Sequence, residues 1–416
     1  MGNSLSQAAH LAWQYLERAA TFSTTDASKH EGVSRQSLSE QHRLLCEQLR
    51  EWMQAAGMQV RMDNGANVIG RYAAKDAQAP VIILGSHQDT VPHGGKYDGM
   101  LGIIVPLLMI HHCHEQDISF PFHIDVVAFS DEEGARFKST LLGSKVLSGT
   151  LDREMLEAQD QCGQSVYQAL LDFACDPEQI EQDAYASDTV QGFIEVHIEQ
   201  GPILEQEGLA LGVVDAITGI ERHELTIYGV AGHAGTVPVP GRQDALLGAA
   251  KVIVGVNQLL RADPLLVGVV GSINNSPNGV NVISDHTRLS IELRSPDDQV
   301  RGLARKALQQ MIRDTLDQDG LTYELHQTYE QSAVQCSAAL SRYLERAVAH
   351  AGLPVRRLFS GAGHDGLAMH HLCPIAMLFV RCERGISHNP AENILLKDVE
   401  LAIQVLLETC QLLAQD

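Results

Sequence analysis

His87, Asp98, Glu133, His197 and His388 stand at the ends of apolar stretches or in glycine-bearing loops. Imidazole and carboxylate ligands suit zinc, manganese, cobalt or nickel, and a donor set without thiolates fits a catalytic more than a structural site. A shared aspartate with one further carboxylate and two or three imidazoles is enough for two ions about 3.5–4 Å apart. In that arrangement His87 and His197 hold one ion, Glu133 and His388 hold the other, and Asp98 bridges them. Glu132, beside Glu133, is placed to take a proton from an activated water and hand it to a leaving nitrogen. The plainer reading of Asp131-Glu132-Glu133 is a solvated acidic turn. Asp89 follows His87 by two positions, so a strand continuing that far puts both on one face. There the carboxylate would accept the second ring N–H of His87 and fix its tautomer.

These residues need a scaffold that delivers them to one place. Val81 to Leu84 is a short apolar run typical of a buried strand, and Phe122 to Phe129 and Phe193 to Ile198 read the same way. Further strands are expected over 58–62, 67–71 and 211–214. Residues 6–20, 36–56 and 101–114 carry helical patterns, the second with Leu44, Leu45, Leu49 and Trp52 as an apolar stripe. Residues 141–190 look helical and acidic. Alternating helices and buried strands predict an α/β core with a mixed, largely parallel sheet and flanking helices. Ligands collect beyond the carboxyl ends of such strands, where His87 and the Glu132-Glu133 pair fall.

From about Asp215 the pattern changes. A strand over 222–228, a helix over 243–260, strands over 265–273 and 286–294, a helix over 299–316 and a strand over 322–325 follow. The order β-α-β-β-α-β is that of a ferredoxin-like unit. Residues 1–214 and 331–416 are therefore expected to form one domain, with 215–330 inserted as a second. After 337, loops at 359–365 and 385–390 flank a strand over 374–380, and a helix over 397–413 closes the chain.

At 416 residues two domains are the default expectation. With 30 basic against 52 acidic residues and a formal net charge of −22, neither nucleic acid nor an anionic membrane is an expected partner. A small anionic substrate needs only a local Arg or Lys. The eight cysteines include no C-x-x-C pair, and the N-terminal stretch lacks a secretory pattern. The longest apolar run, Leu101 to Ile110, is half a membrane span and contains Pro106. These features point to a reduced, cytoplasmic protein.

The motifs GSHQDT…KYDGM, FSDEEGARF, EVHIEQGP, AGHAGTVP…RQDA, NGVNVIS, SGAGHD and GISHNPAE occur in this order. From about residue 40 to the end, the chain resembles the hydantoinase/carbamoylase branch of the M20-type metallohydrolases. That branch includes N-carbamoyl-L-amino-acid hydrolases, β-ureidopropionases and allantoate amidohydrolases. The resemblance implies a dinuclear aminopeptidase-like α/β fold with an inserted lid and dimerisation domain. It implies the same five ligands for two divalent ions (zinc or manganese, with cobalt or nickel as options), Glu132 as general base, and Asp89 orienting His87. His233 is implied to reach the reacting carbonyl, often across a dimer interface, and Asn281 and Arg294 to bind polar groups and carboxylate of the substrate. Arg222 resembles a substrate-contacting position of allantoate-type members, and Gln200 and His364 match positions around the metals. The implied partners are a small ureido or carbamoyl acid and a second copy of the chain.

Several positions depart from the common pattern: Gly232 stands for Asn, Val237 for Thr, Gln243 for Arg and Gly366 for Ala. None removes a ligand or the base, but they leave substrate identity open. Allantoate is the preferred substrate and an N-carbamoyl-L-amino acid the alternative. A peptidase or aminoacylase, and a non-catalytic metal-binding homologue, stand further off. His111, His112 and His114 with Cys113 mimic a metal cluster, but at a helix end imidazoles more often meet the helix dipole or solvent. His223, His286, His370 and His371 are read the same way.

Overall fold

The computed structural model of the chain describes residues 2–415. They divide into two compact units: the chain up to Asp215 with Cys336–Leu358 and the chain from Ala362, and Ala216–Gln335 with Phe359–Gly361. In chain order the first unit opens with α1 (Gly2–Ala19), α2 (Glu40–Ala55), β1 (Gln59–Met62), β2 (Val68–Tyr72) and β3 (Val81–His87). It continues with α3 (Met100–Glu115), β4 (His123–Phe129), α4 (Leu142–Ser148), α5 (Val166–Asp172), β5 (Val190–Ile198), α6 (Ile203–Gln206) and β6 (Leu211–Ile217). The second unit carries β7 (Gly219–Tyr228), β8 (Gly232–His233), α7 (Ala245–Arg261), β9 (Val267–Ser276), β10 (Val282–Ile283), β11 (His286–Ser295), α8 (Asp298–Gln318), β12 (Thr322–Gln331) and β13 (Val334–Gln335). The chain then adds α9 (Ala338–His350), β14 (Arg357–Ser360), α10 (Gly366–Met369), β15 (Ile375–Val380) and α11 (Leu396–Leu413).

The sheet of the first unit runs β1-β2-β4-β3-β5-β15-β6. Its centre is parallel: β4 with β3, β3 with β5, and β5 with β15. β1, β2 and β6 join antiparallel. Every residue of β3, β4 and β15 is buried, which explains why these segments read as unbroken apolar runs rather than alternating ones. α3 is apolar nearly all round and packs on β3 and β5 and against α1 and α11, as a helix without a polar face must.

Two local expectations are corrected. On α2 the buried stripe is His42, Leu45, Cys46, Leu49, Trp52 and Met53, and Leu44 lies off it, exposed. Between 141 and 190 only α4 and α5 are α-helical. Gly149, at φ +70°, ends α4, and the Asp160 carboxylate accepts the backbone N–H of Cys162 and Gln164 to close a turn instead.

In the second unit β12-β7-β11-β9 form an antiparallel sheet with the connections of a ferredoxin-like unit. Leu225, Ile227, Leu289, Ile291 and Leu293 of the strands pack with Val252, Val256, Leu308 and Ile312 of α7 and α8. The alternate strand residues therefore lie on the opposite face. Among the described residues no helix is long and apolar enough to cross a membrane. The His111–His114 segment ends α3, with His111 3.7 Å from Glu115.

Candidate metal centre

The carboxyl ends of the four parallel strands converge on one cluster. β3 ends in His87, β5 carries His197 at its penultimate position, and the loops after β4 and β15 bring Glu132-Glu133 and His388. Asp98 comes from the loop before α3. Its Oδ1 lies 3.1 Å from His197 Nε2 and 3.5 Å from His87 Nε2. Its Oδ2 lies 3.2 Å from His388 Nε2, which is also 3.6 Å from Glu133 Oε1. Four groups of potential ligand atoms result, and two of them share Asp98: with His87 and His197, and with Glu133 and His388; the others are Glu195, His197 and His364, and His87, Glu132 and Glu133.

The donors fit a cation. Asp98 Oδ1, Glu133 Oε1 and His197 Nε2 are buried and make no hydrogen bond, which is costly for polar atoms left alone. The other ring nitrogens are fixed by main-chain carbonyls: His87 Nδ1 at 3.0 Å from Asp89 O, and His197 Nδ1 at 2.9 Å from Ile198 O. Each arrangement leaves Nε2 as the ligand atom.

Asp89 acts differently from the expectation. Its carboxylate oxygen is 4.0 Å from His87 Nδ1, while the main-chain carbonyl of Asp89 takes the imidazole contact. β3 ends at His87, so the shared-face argument does not reach Asp89. The carboxylate instead accepts the backbone N–H of Glu132 and of Glu133, at 3.1 and 3.2 Å. Asp89 therefore fixes the loop carrying the acidic pair.

That loop is crowded with carboxylates. Burial pushes the Glu132 carboxyl well above the usual range, with Glu133, Asp365 and Asp89 adding to it and His87 opposing. Burial, then Asp98, raises Glu133 to about 7. Burial would also raise Asp98, but His197, His388 and His87 hold it well below. Divalent cations would offset this mutual repulsion. Asp131, Gln200 and His388 have φ of +52°, +55° and +53°, the left-handed region that costs a non-glycine residue roughly 1 kcal/mol. Such conformations concentrate at functional sites.

Gln200 Nε2 donates to Asp98 Oδ2 at 3.0 Å, so it supports that carboxylate by hydrogen bonding. His364 is buried and meets His197 edge-on, with ring centroids 4.4 Å apart. Burial, then His197, holds its imidazole well below the ordinary value.

Several residues around the cluster escaped the sequence reading. Glu392 Oε1 accepts the backbone N–H of Tyr97 and Asp98, at 2.8 and 3.1 Å, and its Oε2 accepts Ser387 Oγ at 2.9 Å. Ser387 Oγ is also 3.0 Å from Asp98 Oδ2. Glu392 thereby ties the Asp98 loop to the His388 loop, nearly 300 residues away in sequence. Glu195 accepts Ser86 Oγ at 2.7 Å behind the histidines. Its spacing of two from His197 on an apolar strand was a usable signal; Glu392 offered only the short HNPAE string.

The second unit holds the remaining candidates. His233 and Asn281 are adjacent on the β8–β10 ladder: Val282 pairs with His233, and Asn281 O accepts Ala234 N–H at 2.8 Å. Both are exposed. Arg222 on β7 and Arg294 on β11 each donate an Nε–H to Glu292, at 2.7 Å. Of the sequence decoys, His223 lies beside buried Glu221, His370 Nδ1 is 2.8 Å from Leu367 O, and the His370 and His371 rings contact each other.

A parallel-centred sheet bearing this cluster at its strand ends is the architecture of a family of hydrolases. A profile of peptidase family M20/M25/M40 matches residues 83–412, and the chain belongs to that family. It is 36% identical over 384 residues to an N-carbamoyl-L-amino acid amidohydrolase of Geobacillus stearothermophilus, covering 92% of this chain and 94% of that one. It is 38% identical over 393 residues to an allantoate deiminase of Arabidopsis thaliana, covering 86% and 74% respectively. A solved amidase of the hydantoinase/carbamoylase family from Burkholderia multivorans matches with a TM-score of 0.91 and 31% identity over 98% of each chain. The chain is a hydrolase acting on C–N bonds.

Proposed function

We propose that the chain cleaves a ureido or carbamoyl group, with allantoate as the preferred substrate. The reading rests on Asp98, whose two carboxylate oxygens face two separate sets of imidazole and carboxylate donors. His87, His197 and one Asp98 oxygen would hold one divalent ion, and Glu133, His388 and the other oxygen a second, zinc or manganese suiting these ligands. When bound, the ions supply Lewis acidity that polarises the substrate carbonyl and acidifies a water.

Glu132 accepts the proton of the attacking water and delivers it to the departing nitrogen. The reaction consumes one water and turns R–NH–CO–NH2 into R–NH2, ammonia and carbon dioxide. Asp89 holds Glu132 through its backbone N–H. His233 and Asn281 are assigned to the developing oxyanion, where one such donor contributes about 3 kcal/mol. Arg294 and Arg222 are assigned to the substrate carboxylate.

The second unit is also assigned the interface of a homodimer. Strand β9 ends its sheet and exposes Val267, Val269 and Ile273, an edge that soluble proteins normally cover.

An N-carbamoyl-L-amino acid is the second reading, favoured by the 36% identical amidohydrolase. The test is ammonia release from allantoate against a panel of N-carbamoyl-L-amino acids, using manganese-loaded protein. Preference for allantoate supports the first reading, preference for a carbamoyl amino acid replaces its substrate, and no release from either overturns the function.

A further inference from the structure

Arg222, Glu292 and Arg294 form a compact charge group on one face of the second unit's sheet. Register places Glu292 directly opposite Arg222, and Arg294 two residues further along β11. The alternation of the strand buries Leu289, Ile291 and Leu293 against the helices, so Glu292 and Arg294 share the other face. The two guanidiniums use different oxygens of the one carboxylate: Arg222 Nε donates to Oε2 and Arg294 Nε to Oε1, both at 2.7 Å.

Each arginine is further held. Arg294 Nη1 donates to Gly361 O at 2.6 Å, and the Arg222 guanidinium lies over the Tyr329 ring at 5.1 Å. Exposure of the side chains falls from 50% at Arg222 to 23% at Arg294 and 18% at Glu292. Burial pushes the Glu292 carboxyl up, but the bonds from Arg294 and Arg222 more than reverse this and keep it ionised at neutral pH. Two cations and one anion leave a single net positive charge.

We propose that Glu292 is a specificity-determining residue: by sharing its carboxylate between Arg222 and Arg294, it makes them select a substrate with one carboxylate over a substrate with two. The inference rests on the assignment of these arginines to the substrate carboxylate. A monocarboxylate balances the net charge of the group. A second carboxylate finds no third cation within this group and is repelled by Glu292. For partly exposed charges about 4–5 Å apart, that repulsion corresponds to roughly a tenfold change in binding. Glu292 also holds two like-charged guanidiniums in fixed positions, and so acts through them rather than on the reacting atoms.

Butyrate and succinate have the same carbon chain length and differ by one carboxylate. Their inhibition constants against the best ureido or carbamoyl substrate are to be measured for manganese-loaded wild type, Glu292→Gln and Glu292→Asp. The expected result is a succinate-to-butyrate ratio shifted about tenfold towards succinate in Glu292→Gln and left at the wild-type value in Glu292→Asp. A purely structural role for Glu292 would weaken both inhibitors together, and an unchanged ratio in Glu292→Gln overturns the inference. Failure of the underlying assignment shows in different arms: a wild type that hydrolyses no ureido or carbamoyl acid, or an Arg294→Ala variant that binds butyrate as tightly as wild type, removes the basis of the inference.

Discussion

Gly99 is packed against His87 so closely that a β-carbon on it would lie 2.3 Å from the His87 carbonyl oxygen and 2.5 Å from Nδ1. Its φ of +66° also belongs to the left-handed region. Glycine at this position lets the Asp98 loop close over the end of β3. Gly99→Ala is expected to push Asp98 away from His87. Metal content should fall well below that of wild type and activity by at least about 100-fold, a loss in the range of a misplaced catalytic group. Elemental analysis beside turnover checks this, and full metal occupancy with normal turnover contradicts it.

Glu132→Gln is expected to fold and to retain metal, because the Asp89 bond reaches the backbone N–H of Glu132 and not its side chain. Turnover should fall by about 10²–10⁴-fold, the usual contribution of a general acid–base. Steady-state kinetics on metal-analysed protein decide the matter, and robust activity refutes the base assignment.

Removing the carboxylate that links two loops should act on metal affinity. Glu392→Ala leaves the backbone N–H groups of Tyr97 and Asp98 without their buried acceptor. A loss of about 10–100-fold in metal affinity is expected, as for other groups that orient ligands. Competition with a chelator of known affinity measures it, and an unaltered affinity argues that Ser387 and Gln200 suffice.

Chelation should abolish activity and lower the melting temperature, since an ion that binds only the folded chain stabilises it by mass action. Manganese or zinc added back should restore both. A melting temperature indifferent to chelator and metal contradicts the proposed centre.

The proposed dimer is tested on the edge of the second unit's sheet. Val269→Lys places a charge on β9, an accepted way to stop strand edges from pairing. Sedimentation should show a dimer in wild type and a monomer in the variant at the same concentration. A monomeric wild type removes the proposal.

The sequence showed the parallel strands clearly because burial on both faces makes them unbroken apolar runs ending in polar residues. The candidate donors drew notice for the same reason: His87 closes one such run, and Glu132-Glu133 stand in the polar turn that follows another. Asp89 was misread because a spacing of two implies a shared face only inside a strand, and β3 ends at His87, two residues short of Asp89. Glu392 was missed because its partners, Tyr97, Asp98 and Ser387, lie nearly 300 residues away or on an irregular loop, and no local period marks such a contact. The 141–190 segment misled because polar, acidic composition is shared by exposed helices and by turns capped through Asp side chains. There Asp160 takes backbone N–H groups that a helix would have used. The Arg222–Glu292–Arg294 group was half legible: both arginines drew notice, but the carboxylate between them emerges only from strand register.

The last strand of the sheet in chain order, β15, is not an edge strand but lies between β5 and β6. A ribosome must therefore finish some 160 residues after β6 and β5 before their gap can be filled. During that interval Ala216–Gln335, the longer segment of the second unit, already contains all four strands of its antiparallel sheet. The first unit must wait with two open strand edges, and His388, arriving after β15, is the last of the proposed donors to be made. A nascent chain stalled before residue 375 would thus carry every strand of the smaller sheet but a gap in the larger one, whose open edges are the kind that pair with a neighbour.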